Sequence, residues 1–109
     1  MPSSVKVAAP LCSHDTTIQA TDRGDGSVGI RIESDCKSVQ HYATLLQEAN
    51  MKDITEWKDS KILDLADKAG LTTTCFVPTA VINCCWVEMG MISKRLAVQK
   101  SPICVNFVD

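Results

Sequence analysis

Cysteine is the residue type in this chain best suited to chemistry, and three of its six cysteines stand among neighbours that favour it: Cys12, Cys36 and Cys75. Cys12 is followed by His14 and Asp15, Cys36 follows Ser34 and Asp35, and Cys75 stands just ahead of Phe76-Val77-Pro78. A thiolate attacks electrophiles and binds soft metals, with imidazole and carboxylate as common co-ligands. Three thiolates leave one tetrahedral position open, which Asp15, His14, water or an exogenous thiol could fill. His14 in that position suits a closed zinc site, whereas Asp15 or solvent suits a labile iron–sulfur cluster. The spacing matches no paired C-x-x-C zinc signature. Two plainer readings stand beside the metal: thiol redox chemistry, and simple packing, since free cysteine is among the most buried residue types.

Whether these sulfurs meet depends on the elements that carry them. Residues 16–21 and 28–33 both alternate apolar and polar, and Arg23-Gly24-Asp25-Gly26-Ser27 between them is turn chemistry, so the pair reads as a hairpin. Pairing Ile18 with Ile32 and Ala20 with Ile30 puts Ile18, Ala20, Val28, Ile30 and Ile32 on one buried face and Gln19, Arg31 and Glu33 on the other. Gly29 within a strand suggests a bulge. In this register Cys12 and Cys36 both fall at the end opposite the turn, with His14 nearly across from Cys36 and Asp15 close by.

Cys36 opens a first helix capped by Ser34 or Asp35, with Val39, Tyr42, Ala43, Leu46 and Ala49 at helical spacing up to Asn50. Residues 51–59 read as a short helical turn presenting Ile54 and Trp57. A second helix starts at Asp59 or Ser60, carries Ile62, Leu65, Ala66 and Ala69, and stops at Gly70. The third takes Pro78 in its first turn and ends at Gly90, apolar nearly all round and hence expected to be the most buried. Unpaired N–H groups and the positive dipole end at a helix start favour a thiolate, which bears on both Cys36 and Cys75. Arg95–Gln99 and Ile103–Val108 are β-prone and read as closing strands. The expected fold class is α/β (α+β): a small, largely antiparallel three- to four-stranded sheet with three helices on one face.

At these residues the chain resembles two families. The layout of Cys12 in AAPLCSHDTTIQA, Cys36 in RIESDCKSVQHYATLL and Cys75 in TTTCFVPTAVINCCWVEMG is similar to that of NifU/IscU-type iron–sulfur cluster scaffold proteins. The likeness spans roughly residues 10–90 and is one of layout, not wording. It implies three cysteines that assemble a cluster, with a nearby aspartate or histidine involved. The SDC and C-x-V-P helix starts, Ser34-Asp35-Cys36 and Cys75 to Pro78, resemble a family of small uncharacterised proteins of archaea and anaerobic bacteria, which implies no function.

The remaining candidates read as structural. Cys84 and Cys85 point about 100° apart on an apolar helix and belong to the core, with Cys85 a distant candidate fourth ligand. Cys104 alternates with Ile103 and Val105 and reads as core or edge filling. His41 reads as a solvated surface histidine, and Asp59, Asp64 and Asp67 form a solvated helix face with Lys61 and Lys68. Trp57 and Trp86 are expected in the core or a pocket wall. There is no glycine-rich phosphate loop, HExxH or nucleophile elbow, and the Cys12–His14 and Cys36–His14 pairs lack a third orienting residue.

Composition sets the outer bounds. The 109 residues suit one domain, and 45% hydrophobic with 22% charged residues excludes a disordered chain. A net charge of −2 implies no broad basic surface for nucleic acid or anionic lipid. Residues 1–11 are too short and too broken an apolar run for a signal or a membrane span, so a cytoplasmic protein with reduced cysteines is expected. The sequence thus points to a small protein holding or delivering zinc or an iron–sulfur cluster through Cys12, Cys36, Cys75, His14 and Asp15 rather than catalysing. A second copy or another protein is the expected partner, with no nucleic acid and no membrane. The alternative is an interaction module with structural cysteines, presenting Met89, Met91 and Trp57, or a thiol redox protein.

Overall fold

The alternation of the hairpin builds the centre of the sheet. In the computed structural model, which describes residues 2–9 and 11–109, strands β2 (His14–Asp22) and β3 (Ser27–Ser34) pair antiparallel with Ile18 opposite Ile32 and Ala20 opposite Ile30. Ile18, Ala20 and Val28 are fully buried, and Ile30 and Ile32 nearly so. At the turn, the Asp22 carboxylate accepts from Gly24 N–H and the Asp25 carboxylate from Ser27 N–H, both at 2.9 Å. Gly24 and Gly26 adopt φ of 81° and 90°, which glycine takes without steric cost. Gly29 marks no bulge: it stays in register opposite Thr21. A Cβ there would lie 3.0 Å from the Arg23 Nε, because that side chain crosses the glycine to pair with Glu48.

Two strands flank this pair. β1 (Ser3–Ala9) runs antiparallel to β2 along its whole length, from Ser3 opposite Ala20 to Ala9 opposite His14. β4 (Glu48–Asn50) pairs with Ser27–Gly29, giving an antiparallel sheet in the order β1-β2-β3-β4.

Helix α1 (Lys37–Leu45) is shorter than its periodicity suggests, because Leu46 turns extended and the chain enters β4 while Leu46 and Ala49 remain buried. α2 (Met51–Thr55) starts on a capping box between Asn50 and Asp53. α3 (Lys61–Lys68) buries Ile62 and ends where Gly70 adopts φ 80°. α4 (Val77–Glu88) carries Pro78 in its first turn, and α5 (Lys94–Lys100) is capped by the Ser93 hydroxyl, which accepts from Leu96 N–H at 3.2 Å. α1 lies on β3, and α4 lies on β1 and β2. The Tyr42 hydroxyl donates to the Ile62 carbonyl at 2.8 Å, joining α1 to α3, and Trp86 Nε1 donates to the Ile54 carbonyl, joining α4 to α2.

Several expectations are corrected. The described residues form five helices, not three. The expected strand at Arg95–Gln99 is the helix α5: the Ser93 cap and the helix formers Leu96, Ala97 and Gln99 outweigh the β-preference of Val98. Ile103–Val108 forms no strand, since no neighbouring strand pairs with it. Trp57 is 89% exposed: α2 ends at Thr55, so the indole falls in the following loop with no apolar surface beneath it. Cys104 is likewise exposed, as part of the unpaired C-terminal segment. α4 buries Val77, Pro78, Val81, Cys84 and Cys85 but leaves its other flank half-exposed.

Candidate metal centre

The three cysteines sit on three different connections of the fold. Cys12 lies in the exposed turn 11–13 that joins β1 to β2. That turn closes through a Ser13 N–H to Ala9 carbonyl hydrogen bond of 2.8 Å, with Ser13 at φ 60°, and the Cys12 thiol lies 3.7 Å from the same carbonyl. Cys36 is the N-cap residue of α1, with extended backbone (φ −85°, ψ 124°) and no side-chain capping bond. Its N–H donates to the Ser34 hydroxyl at 3.1 Å, which fixes the entry into the helix and leaves the sulfur free of that role. Cys75 precedes the α4 N-cap Phe76, with its N–H donating to the Thr72 carbonyl at 3.0 Å. Cys36 and Cys75 are both half-buried against the core.

The electrostatics of Cys75 tie the three together. Burial pushes its thiol above the usual 9.0, a hydrogen bond from Val77 N–H at the start of α4 pulls it back, and the charges of Cys36 and Cys12 push it up again. Cys36 and Cys12 thus lie within electrostatic reach of Cys75, which faces a helix N-terminus. As the side chains stand, the described residues contain no group of three or more His, Cys, Asp or Glu that could hold a metal ion.

His14 and Asp15 open β2 beside this cluster of connections. The His14 Nδ1 lies 3.0 Å from Asp35 Oδ1, and the same carboxylate oxygen accepts the Asp15 N–H at 3.2 Å. Asp35 thus joins the start of β2 to the start of α1, a role the sequence reading gave only to a helix cap. The extended hairpin register already set His14 nearly across from Cys36 with Asp15 close by, and the signal it left unused is that the same pairing sets Asp15 across from Asp35. With Nδ1 engaged by a carboxylate, Nε2 is the ring nitrogen left to bind a ligand, the arrangement by which carboxylates orient metal-binding histidines.

The other cysteines are elsewhere. Cys84 and Cys85 are fully buried, as expected for core residues, and burial raises their thiols to about 11 and about 12. The Cys84 thiol donates to the Ser3 carbonyl at 3.3 Å. His41 is exposed, as are Asp59, Asp64 and Asp67.

Glu88, at the end of α4, is a polar junction that the sequence did not single out. Its carboxylate accepts from Ser3 N–H at 3.1 Å, the Ser3 hydroxyl at 2.9 Å and Asp22 N–H at 2.9 Å. Partial burial pushes its carboxyl up, but hydrogen bonds from Asp22 and Ser3 and the charge of Lys94 outweigh this and leave it below its ordinary 4.5. A surface hollow lies away from the cysteines, over Gln19, Thr21, Arg23, Gly29 and Arg31. No described helix is long and apolar enough to cross a membrane.

Comparison with curated proteins and with solved structures finds no match. A protein-family model, Family of unknown function (DUF6951), matches residues 3–100, a span that includes β1 to α5 and every candidate ligand but leaves out the C-terminal segment 101–109. The chain belongs to that family.

Proposed function

We propose that this protein holds or delivers a soft metal, as zinc or an iron–sulfur cluster, on the sulfurs of Cys12, Cys36 and Cys75, and that it acts as a carrier in the cytoplasm rather than as an enzyme. The observation that carries the reading is the position of the three thiols on three separate connections, with Cys36 at the start of α1 and Cys75 just ahead of α4, where the Val77 N–H is directed at its sulfur. A cation held by thiols at a helix start is bound by their thiolate forms, so binding releases protons. His14 completes the set through Nε2, with Asp35 holding the ring. Cys36 and Cys75 are anchored on the core, whereas Cys12 rides on an exposed three-residue turn, so Cys12 is the ligand that closes over the metal. An exposed arm on one ligand also suits release to an acceptor. The resemblance of the cysteine layout to that of cluster scaffold proteins agrees with this reading, and the net charge of −2 gives no support to nucleic acid as a partner.

Anaerobic purification followed by metal analysis and visible absorption tests the reading. It predicts near-stoichiometric zinc or iron, lost when Cys12, Cys36 and Cys75 are replaced by alanine in a chain that remains folded. A colourless protein with under about a tenth of an equivalent of either metal contradicts it.

A further inference from the structure

The last nine residues, SPICVNFVD, have no helix or strand, and every one is exposed. Ile103, Val105, Phe107 and Val108 are 88%, 64%, 79% and 87% exposed, an apolar cost that an isolated chain does not recover. Ile103, Val105 and Phe107 alternate with Cys104 and Asn106, the period of a strand with one apolar face, and the only charge is the terminal Asp109. Across the molecule, β1 is a terminal strand whose outer edge pairs with no described strand. Such an edge offers a row of free backbone groups to another chain. Its seven residues match the length of the tail, and Val5 and Val7 alternate with the lone charge Lys6 in the same period. Beside it, α4 is apolar nearly all round yet leaves Ile82 and Val87 half-buried.

We infer that the C-terminal segment of one copy adds as a fifth strand to the β1 edge of a second copy, and that the exchange is reciprocal and closes a two-fold dimer. An antiparallel register that continues the pattern of the sheet sets Phe107 beside Val5 and Val105 beside Val7, with both apolar faces turned towards α4. The segment is free to leave its own copy because it pairs with no described strand there and all its residues are exposed. Reciprocal exchange uses each tail and each edge once, so no open-ended filament forms. A seven-residue strand is ~23 Å long and presents a strip ~10 Å deep, so two such junctions bury roughly 900 Å², and the aromatic ring of Phe107 brings the total above the ~1,000 Å² of a specific interface. The dimer is independent of the metal centre.

The test compares the full chain with V105D/F107D, two substitutions at exposed positions, with far-ultraviolet circular dichroism confirming that both are folded. Molar mass is read by light scattering across micromolar to millimolar chain, and backbone amide exchange is followed in Ser3–Ala9. The inference predicts a dimeric full chain and a monomeric variant, with exchange of the outward-facing β1 amides at least tenfold faster in the variant. A dimer that survives the double substitution overturns it. So does a monomeric full chain, whether β1 is unprotected or is covered by the tail of the same copy.

Discussion

Glu88 holds Ser3 by two hydrogen bonds to one carboxylate oxygen, 3.1 Å from the N–H and 2.9 Å from the hydroxyl, across 85 residues of sequence. With the Asp22 N–H on its second oxygen, the carboxylate fastens the beginning of β1 and the end of β2 to the end of α4. Glu88→Ala is expected to cost about 1–2 kcal/mol, the range for hydrogen bonds to a charged group at a partly exposed site. Because the carboxyl lies below its ordinary 4.5 in the folded chain, this contribution is present above about pH 4.5 and is lost as pH falls through the folded value. Urea unfolding of wild type and Glu88→Gln should therefore differ at pH 7 and converge as pH falls below 4.5 and the folded carboxyl takes up its proton.

Asp53 is 6% exposed, and its two oxygens accept Asn50 N–H and Lys61 N–H, both at 3.0 Å, so a single carboxylate caps α2 and α3. The Ser60 hydroxyl, which sequence would assign to the cap of α3, donates instead to the Asp53 carbonyl at 2.6 Å. Asp53→Ala leaves two helix-start donors unpaired and is expected to cost about 2–3 kcal/mol in chemical denaturation, with Asp53→Asn costing less.

The six thiols should separate by reactivity. Cys12 and Cys104 are exposed, whereas Cys84 and Cys85 have no exposed surface. Alkylation of the metal-free chain, mapped by mass spectrometry, should label Cys12 and Cys104 first and reach Cys84 and Cys85 only through global unfolding. The folded thiols of these two are raised to about 11 and about 12 from an ordinary 9.0. Their contribution to stability is complete below pH 9 and declines as pH rises from there towards the folded values. Cys84→Ala and Cys85→Ala should each flatten this alkaline loss.

The His14–Asp35 pair is exposed and adds little to stability, so Asp35→Asn should change the unfolding free energy by under about 1 kcal/mol. If Asp35 orients His14 towards a metal, the same substitution lowers zinc affinity about 10–100-fold in competition with a chromophoric chelator.

The parts of this molecule that sequence made legible are those specified by local period. The register of Ile18 with Ile32 follows from alternation on both sides of a glycine-rich turn, and Pro78, Gly70 and Gly90 mark real helix ends. β1 escaped notice because an edge strand needs few apolar residues and has only Val5 and Val7 to show. The segment 94–108 misled because Val98, Ile103 and Val105 carry β-preference, yet a cap decides the first half and the absence of a neighbouring strand the second. At the candidate site, the register set Cys12, Cys36, His14 and Asp15 at one end of the hairpin. The joining roles of Asp35, Asp53 and Glu88 rest on contacts between separate elements, which composition and periodicity do not encode.

The most direct test of the three-sulfur centre is titration of the anaerobic, metal-free protein with cobalt(II), followed through sulfur-to-cobalt charge-transfer absorption, in wild type and in the single serine variants of Cys12, Cys36 and Cys75. The account predicts saturation at one equivalent of cobalt, a charge-transfer band about one third weaker in each variant, and no change in Cys104→Ser. Wild-type absorption equal to that of the three variants, or a wild type that shows no sulfur-to-cobalt band at one equivalent, contradicts it.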